Sequence, residues 1–434
     1  MLPGFPGQDA QKLKLKLDAL ASVHHPFYTQ GVKADLKWDT HWKENCTQSP
    51  LDQNGPEGHA HAATDYLIKA IEMSVAPLPG ILDIVPYKGG EANIPGIEKP
   101  WKLSSNENPL GCSPAARLAY QTSAEDLATY PDGDHFALRK AIAGRYGLDA
   151  GRIMCGSGSD EIFQLLGRAF LDQGDEVVQS AHGFLVYRLT AQQAGAICIS
   201  APETNLTADV DALLACVTAK TKIVFLANPN NPTGTYLPYS EIKRLHAGLP
   251  DHVLLVLDAA YSEYVQTNDY SSGLELAGEA GNVLMTRTFS KIHGLAAARV
   301  GWCYGPQVVI DALNRVRGPF NISAPGLAAA EAAILDQDFA NHSAVFNAHW
   351  LTWLTQEIRA LGLEVTPSVG NFILVKFQAE GGKTSEAADA FLRSRGVIVR
   401  AVRAYGLDAY LRISVGLEVP NRLTVASLKE FMAS

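Results

Sequence analysis

The chain has 434 residues, 47% hydrophobic and 19% charged, with a formal net charge of −9. That length exceeds what one hydrophobic core usually fills, so two domains, or a large one with a smaller one beside it, are expected. An acidic balance offers no basic face for nucleic acid, six cysteines without CxxC spacing speak against a disulfide framework or metal site, and no apolar run approaches the length of a membrane span. With no leader-like apolar stretch at the start either, the expectation is a cytoplasmic protein that meets neither membrane nor nucleic acid.

Residues 1–72 differ in composition from the rest of the chain. They hold seven lysines, no arginine and five of the twelve histidines, whereas residues 73–434 hold eighteen arginines and eleven lysines. LKLKLDAL alternates like a strand without an evident partner, and KENCTQSPLDQNGPEGHAHAA is loop-like throughout. The expectation is a poorly ordered extension, or an upstream start with the working start at Met73. An interaction arm, or a metal role for His59 and His61, is the alternative.

From Met73 on, the pattern is regular. Apolar runs at 153–155, 176–179, 222–226, 253–257 and 282–286 alternate with amphipathic helical segments such as 161–170 and 240–247. This alternation predicts an α/β unit with a mainly parallel sheet, whose ligands gather at the carboxyl ends of the strands. After Pro319, SAPGLAAAEAAILDQDF predicts one long helix, and the remaining helical and strand segments, ending in YLRISVGLE, predict a smaller second domain.

Four polar clusters fall where apolar runs stop. GSGSDEIFQLLGRAF (156–170) opens a helix on glycines, with Ser159 and Asp160 at its start, where free N–H groups and the helix dipole suit a phosphate. NPNNPTG carries Asn228, Asn230 and Asn231, which serve either as turn caps or as donors to a ligand. VLLVLDAAYSEY puts Asp258 directly after five apolar residues, with Tyr261 three positions on. A carboxylate there needs donors or a cation, which an arginine, a capped turn or a ligand nitrogen would each supply. FSKIHGLAAARVG places Lys291 and Arg299 in an apolar stretch. A desolvated lysine near another cation has a lowered pKa, so its amine is free to form a Schiff base, while Arg299 would bind a phosphate. Together a Schiff-base lysine, an aspartate for a pyridinium nitrogen, Tyr and Asn for a phenolic oxygen and a phosphate cradle describe pyridoxal phosphate.

SSNENPLG, YPDG, GSGSDE, NPNNPTG, DAAYSEY, RTFSKIHGLAAARVGW, NFILV and YLRISVG, in this order, resemble the histidinol-phosphate aminotransferases, of the fold-type I pyridoxal-phosphate-dependent aminotransferases. The resemblance covers the chain from about Leu78 to the end. It implies a large cofactor-binding domain (109–318), a smaller α/β domain (319–434, joined by an N-terminal arm at 73–108), and a homodimer with shared active sites. By motif, Lys291 would carry the cofactor and act as the catalytic acid and base, and Asp258 would keep the pyridine nitrogen protonated. Asn231 and Tyr261 would hydrogen-bond the phenolic oxygen. Ser159, Asp160, Ser290 and Arg299 would hold the phosphate, Phe184 would stack on the ring, and Tyr130 would reach the phosphate of the neighbouring subunit. Arg412 would pair with a substrate carboxylate, and Arg400 and Tyr87 with a substrate phosphate. The implied substrates are histidinol phosphate and 2-oxoglutarate, in histidine biosynthesis. Aromatic amino-acid aminotransferases and threonine-phosphate decarboxylases use the same cofactor residues and are the alternatives. His293 departs from the pattern, where many relatives have tyrosine, and bears on substrate preference.

Overall fold

A computed structural model of the chain describes residues 76–86 and 89–434. The expectations for residues 1–72, with His59 and His61, and for Tyr87 fall outside the described residues.

Seven strands form the larger sheet: β1 (Ile153–Gly156), β2 (Glu176–Ser180), β3 (Ile197–Ala201), β4 (Thr221–Ala227), β5 (Leu254–Asp258), β6 (Val283–Thr288) and β7 (Gly301–Tyr304). Their order is β1-β7-β6-β5-β4-β2-β3. All neighbours are parallel except around β7, which runs antiparallel to both β1 and β6. The five apolar runs expected as strands are strands. GWCY, which becomes β7, is one that periodicity did not single out, because four buried residues offer no alternation to count. β5 and β6 are buried at every position, as strands covered on both faces must be.

Helices supply those covers. Ser159–Phe170 buries Ile162, Phe163, Leu165 and Leu166 on one face, and Tyr239–Gly248 buries Ile242 and Leu245. The stretch expected as one helix at 323–339 is two, Ala324–Leu335 and Gln337–Ala360. Asp336 breaks them, because its carboxylate accepts from the Phe339 amide at 3.1 Å and so caps the second helix. The first of the two buries Ala329, Ala330, Ala333 and Ile334 in the core of the large sheet.

A second sheet is antiparallel: β8 (Glu364–Val365), β9 (Phe372–Lys376), β10 (Arg400–Ala401) and β11 (Tyr410–Ser414), ordered β8-β9-β11-β10. It packs its own apolar cluster, in which Trp350, Leu354 and Ile358 of the long helix meet Leu392, Leu428 and Leu103. Leu103 reaches it because Trp101–Lys102 pairs in parallel with Val397–Ile398. The adjoining segment 104–108 is thereby carried to the carboxyl ends of the large sheet, where the side chains of Asn106 and Asn108 bond to Tyr261 and to the Ile292 carbonyl.

Candidate active site

β1, β4, β5 and β6 point the same way, so their carboxyl ends open on one side of the sheet, and a cavity forms there. Eleven of the thirteen candidate residues line it: Lys291, Ser159, Asp160, Phe184, Asn231, Asp258, Tyr261, Ser290, Arg299, Arg400 and Arg412. Tyr130 does not. It is 79% exposed and stacks on Phe320 at 4.6 Å. Tyr87 lies outside the described residues.

Lys291 follows the end of β6 in a turn closed by the Gly294 amide on the Lys291 carbonyl (3.0 Å) and the Leu295 amide on the Phe289 carbonyl (3.0 Å). Gly294 has φ +66°, and the Gly111 carbonyl occupies the space a Cβ would need, so no other residue fits this turn. Lys291 Nζ donates to the Ser105 carbonyl at 3.2 Å and lies 5.7 Å from the Tyr261 ring centroid. Burial first, and the Arg412 guanidinium second, lower its pKa to about 8. The amine is therefore still mostly protonated at pH 7, but it gives up its proton far more readily than an ordinary lysine and so can supply the neutral form a nucleophile or proton carrier needs.

At the end of β5, Asp258 is 6% exposed. It accepts from Tyr187 Oη at 2.6 Å and from Thr286 Oγ1 at 3.4 Å. Burial raises its pKa to about 6 against these donors. No cation among the described residues forms an ion pair with it, so a buried carboxylate at the cavity wall is served by neutral donors alone. A cationic ring nitrogen would complete it.

The phosphate cradle also takes shape from residues present. Gly158, at φ +82°, precedes the helix Ser159–Phe170, whose start has no side-chain cap. The Arg299 guanidinium fills the place where a Cβ on Gly158 would stand, which brings a cation against the bare helix start. Arg299 Nη1 donates to Ser290 Oγ at 3.4 Å, and Nη2 pairs with the Asp160 carboxylate at 3.4 Å. Asp160 thus offers a ligand its amide, with its carboxylate turned to Arg299. A buried lysine amine, an uncompensated carboxylate and an anion cradle in one cavity fit pyridoxal phosphate at its three functional ends.

The three asparagines of NPNNPTG divide. Asn228 closes the turn through both side-chain atoms to Leu237 (3.0 and 2.7 Å), and Asn230 binds the His182 carbonyl (3.1 Å). Only Asn231 reaches the cavity, where its Oδ1 accepts from Arg412 Nη1. Arg412 Nη2 donates to the Ser104 carbonyl at 2.7 Å. His293 is not among the lining residues; it is buried against Phe289 (5.0 Å between rings) and borders a second cavity with Arg287 and Glu263. Burial holds its imidazole below the usual range.

Two participants were not singled out from sequence. Asn106, within the SSNENPLG motif, donates to Tyr261 Oη at 3.0 Å and is itself fixed by Ser414 Oγ at 2.8 and 2.9 Å. Tyr187 stands three residues after Phe184, one helical turn on, and that spacing is the signal that would have found it.

The fold and the cavity define a fold-type I pyridoxal-phosphate-dependent transferase. Residues 98–426 match the family aminotransferase class I and II. A histidinol-phosphate aminotransferase of Nitrobacter hamburgensis is 56% identical over 358 residues, 82% of this chain and 98% of that one. One from Maricaulis maris is 56% identical over 360 residues, covering 83% and 99%. The crystal structure of the Sinorhizobium meliloti histidinol-phosphate aminotransferase in complex with pyridoxal-5'-phosphate superposes with a TM-score of 0.77 at 28% identity, over 83% of this chain and 99% of that one. The chain belongs to the class I and II aminotransferases and, within them, to the histidinol-phosphate aminotransferases.

Proposed function

We propose that the chain moves the amino group of histidinol phosphate to 2-oxoglutarate, giving imidazole acetol phosphate and glutamate, as a step of histidine biosynthesis. The observation that carries this reading is the convergence of Lys291, Asp258, the Ser290–Arg299 cradle and two further arginines on one cavity. When bound, pyridoxal phosphate supplies an electron sink for the charge left as the amine-bearing carbon gives up its proton.

The chain's own groups do the rest. Lys291 Nζ, with its pKa lowered to about 8, would take that proton from the substrate carbon, becoming an ammonium. It would deliver the proton to the cofactor carbon on the other side of the shared nitrogen, returning to the amine. Asp258 holds a proton on the ring nitrogen, Tyr261 and Asn231 orient the ring through its phenolic oxygen, and Phe184 covers its face. The amides of Ser159 and Asp160, with Ser290 and Arg299, bind the cofactor phosphate. Arg400 and Arg412 receive the anionic ends of the two substrates in turn, with Arg412 on the 2-oxoglutarate carboxylate and Arg400, together with Tyr87, on the substrate phosphate.

We read the protein as a homodimer in which Tyr130 serves the partner's cofactor phosphate. Its supporting observation is an aromatic pair left open to solvent: Tyr130, 79% exposed, stacks on the exposed Phe320. Residues 73–108 with the C-terminal part of the chain are read as the smaller domain, around its own apolar cluster. A cytoplasmic location accords with five described cysteines that are all free. Among the described residues no helix is long and apolar enough to cross a membrane.

The test is glutamate formation by the full chain with pyridoxal phosphate, histidinol phosphate and 2-oxoglutarate. Glutamate released in proportion to imidazole acetol phosphate supports the reading, and its absence with active, cofactor-loaded protein overturns it.

A further inference from the structure

Tyr187 is fully buried, and its hydroxyl donates to Asp258 Oδ2 at 2.6 Å. Its ring lies parallel to Phe225 (4.5 Å, 2°) and meets Phe163 and Phe184 edge-on at 5.1 and 5.8 Å. Packed on these sides, the ring has no room to swing, so the hydroxyl has a fixed aim. We propose that Tyr187 is a positioning residue for the reaction: its fixed hydroxyl keeps the Asp258 carboxylate ionised and thereby keeps the proton on the ring nitrogen of bound pyridoxal phosphate. This rests on the assignment of Asp258 to that nitrogen.

Two bases, the Asp258 carboxylate and the ring nitrogen, compete for one proton in a dry pocket. A hydrogen bond donated to the carboxylate lowers its proton affinity, leaving the proton on the ring, where a positive charge is needed to draw electrons from the substrate carbon. The donor itself does not titrate at working pH, because burial and the neighbouring carboxylate push the Tyr187 phenol well above its ordinary value. Other groups do not replace it. Thr286 on β6 donates at the longer 3.4 Å, Asp160 on the helix Ser159–Phe170 pushes the carboxylate the opposite way, and the Ala260 amide is the remaining donor. Lys291 and Arg412 line the same cavity, Tyr270 feels the charge of Asp258 and Tyr405 that of Tyr187, and the bond from Tyr187 is shorter than that from Thr286.

The test uses three full-length proteins: wild type, Tyr187→Phe, and a chain carrying 3-fluorotyrosine at position 187, which keeps the shape and strengthens the donor. Each is titrated with pyridoxal phosphate by equilibrium dialysis from pH 5 to 9, with the visible spectrum recorded alongside. The cofactor's own protonations are common to all three, so differences between the curves belong to the protein. In Tyr187→Phe the acid limb of the affinity curve should move up by about one pH unit, which makes binding about ninefold weaker at pH 5 but only about twofold weaker at pH 7. With 3-fluorotyrosine the limb should move down. A role in packing alone would lower affinity evenly across pH and leave the limb where it is. Superimposable limbs for wild type and the fluorinated protein would overturn the proposal, and this arm decides by itself should Tyr187→Phe fail to fold. Failure of the wild-type chain to take up the cofactor would overturn the underlying assignment, and this inference with it.

Discussion

Arg400 on β10 and Arg412 on β11 are register partners across an antiparallel pair, and both line the cavity. Like charges directly opposite each other disfavour a sheet, and Arg412 is offset in part by the Asn231 side chain and the Ser104 carbonyl. A guanidinium on a phosphate makes charge-assisted bonds whose loss costs about 2 kcal/mol or more. Arg400→Ala should therefore lower kcat/KM for histidinol phosphate by roughly 30-fold, and for phenylalanine far less. Steady-state kinetics on both substrates check this, and an equal loss on both would remove Arg400 from phosphate recognition.

Lys291→Ala should still take up pyridoxal phosphate through Asp258 and the Arg299 cradle, while turnover falls by at least about a thousandfold, the scale of a lost general acid and base. Borohydride treatment followed by mass spectrometry should find the cofactor fixed to wild type at Lys291 and not fixed to the variant.

Asp258 gives the cofactor-free chain a pH signature. Its carboxyl titrates near 6 in the folded chain against 3.8 when unfolded, so between these values the folded state binds the extra proton. Stability from this group is complete below about pH 4 and is lost as pH rises through 6, by up to about 3 kcal/mol. Asp258→Asn should abolish that slope in the melting temperature of the cofactor-free protein, and should also weaken pyridoxal phosphate binding. A slope unchanged by the substitution would place the titrating group elsewhere.

Much of this site was legible because it sits where strand periodicity breaks. Asp258 and Lys291 each interrupt an apolar run at a strand end, and chemistry there has few structural alternatives. What escaped did so for physical reasons. Tyr187 reads as one more aromatic on a helix, and only the fold turns its hydroxyl to Asp258 rather than into the core. Asn106 depends on contacts more than 300 positions away, to Ser414, which no local pattern encodes. The break at Asp336 was missed because the alanine-rich stretch before it has strong helix propensity, which a single capping carboxylate overrides. His293, whose departure from the pattern leaves the finer substrate preference open, packs on Phe289 and is not among the residues lining the cavity.

Tyr130 offers a test of shared sites. If it completes the partner's cradle, Tyr130→Ala and Lys291→Ala proteins, each inactive, should regain about a quarter of wild-type activity when mixed and allowed to exchange subunits. Half of the dimers are then hybrids with one intact site. No recovery, with exchange verified by native mass spectrometry, would show that Tyr130 acts within its own subunit.

The most direct measurement compares kcat/KM for histidinol phosphate, phenylalanine, tyrosine and threonine phosphate, side by side with 2-oxoglutarate as acceptor. Two arginines facing one anion site predict that histidinol phosphate leads the aromatic amino acids by at least about a hundredfold, since a site built for a polar group rejects substrates that leave it unpaired. Aromatic amino acids turned over as well as histidinol phosphate, or carbon dioxide released from threonine phosphate, would contradict the account.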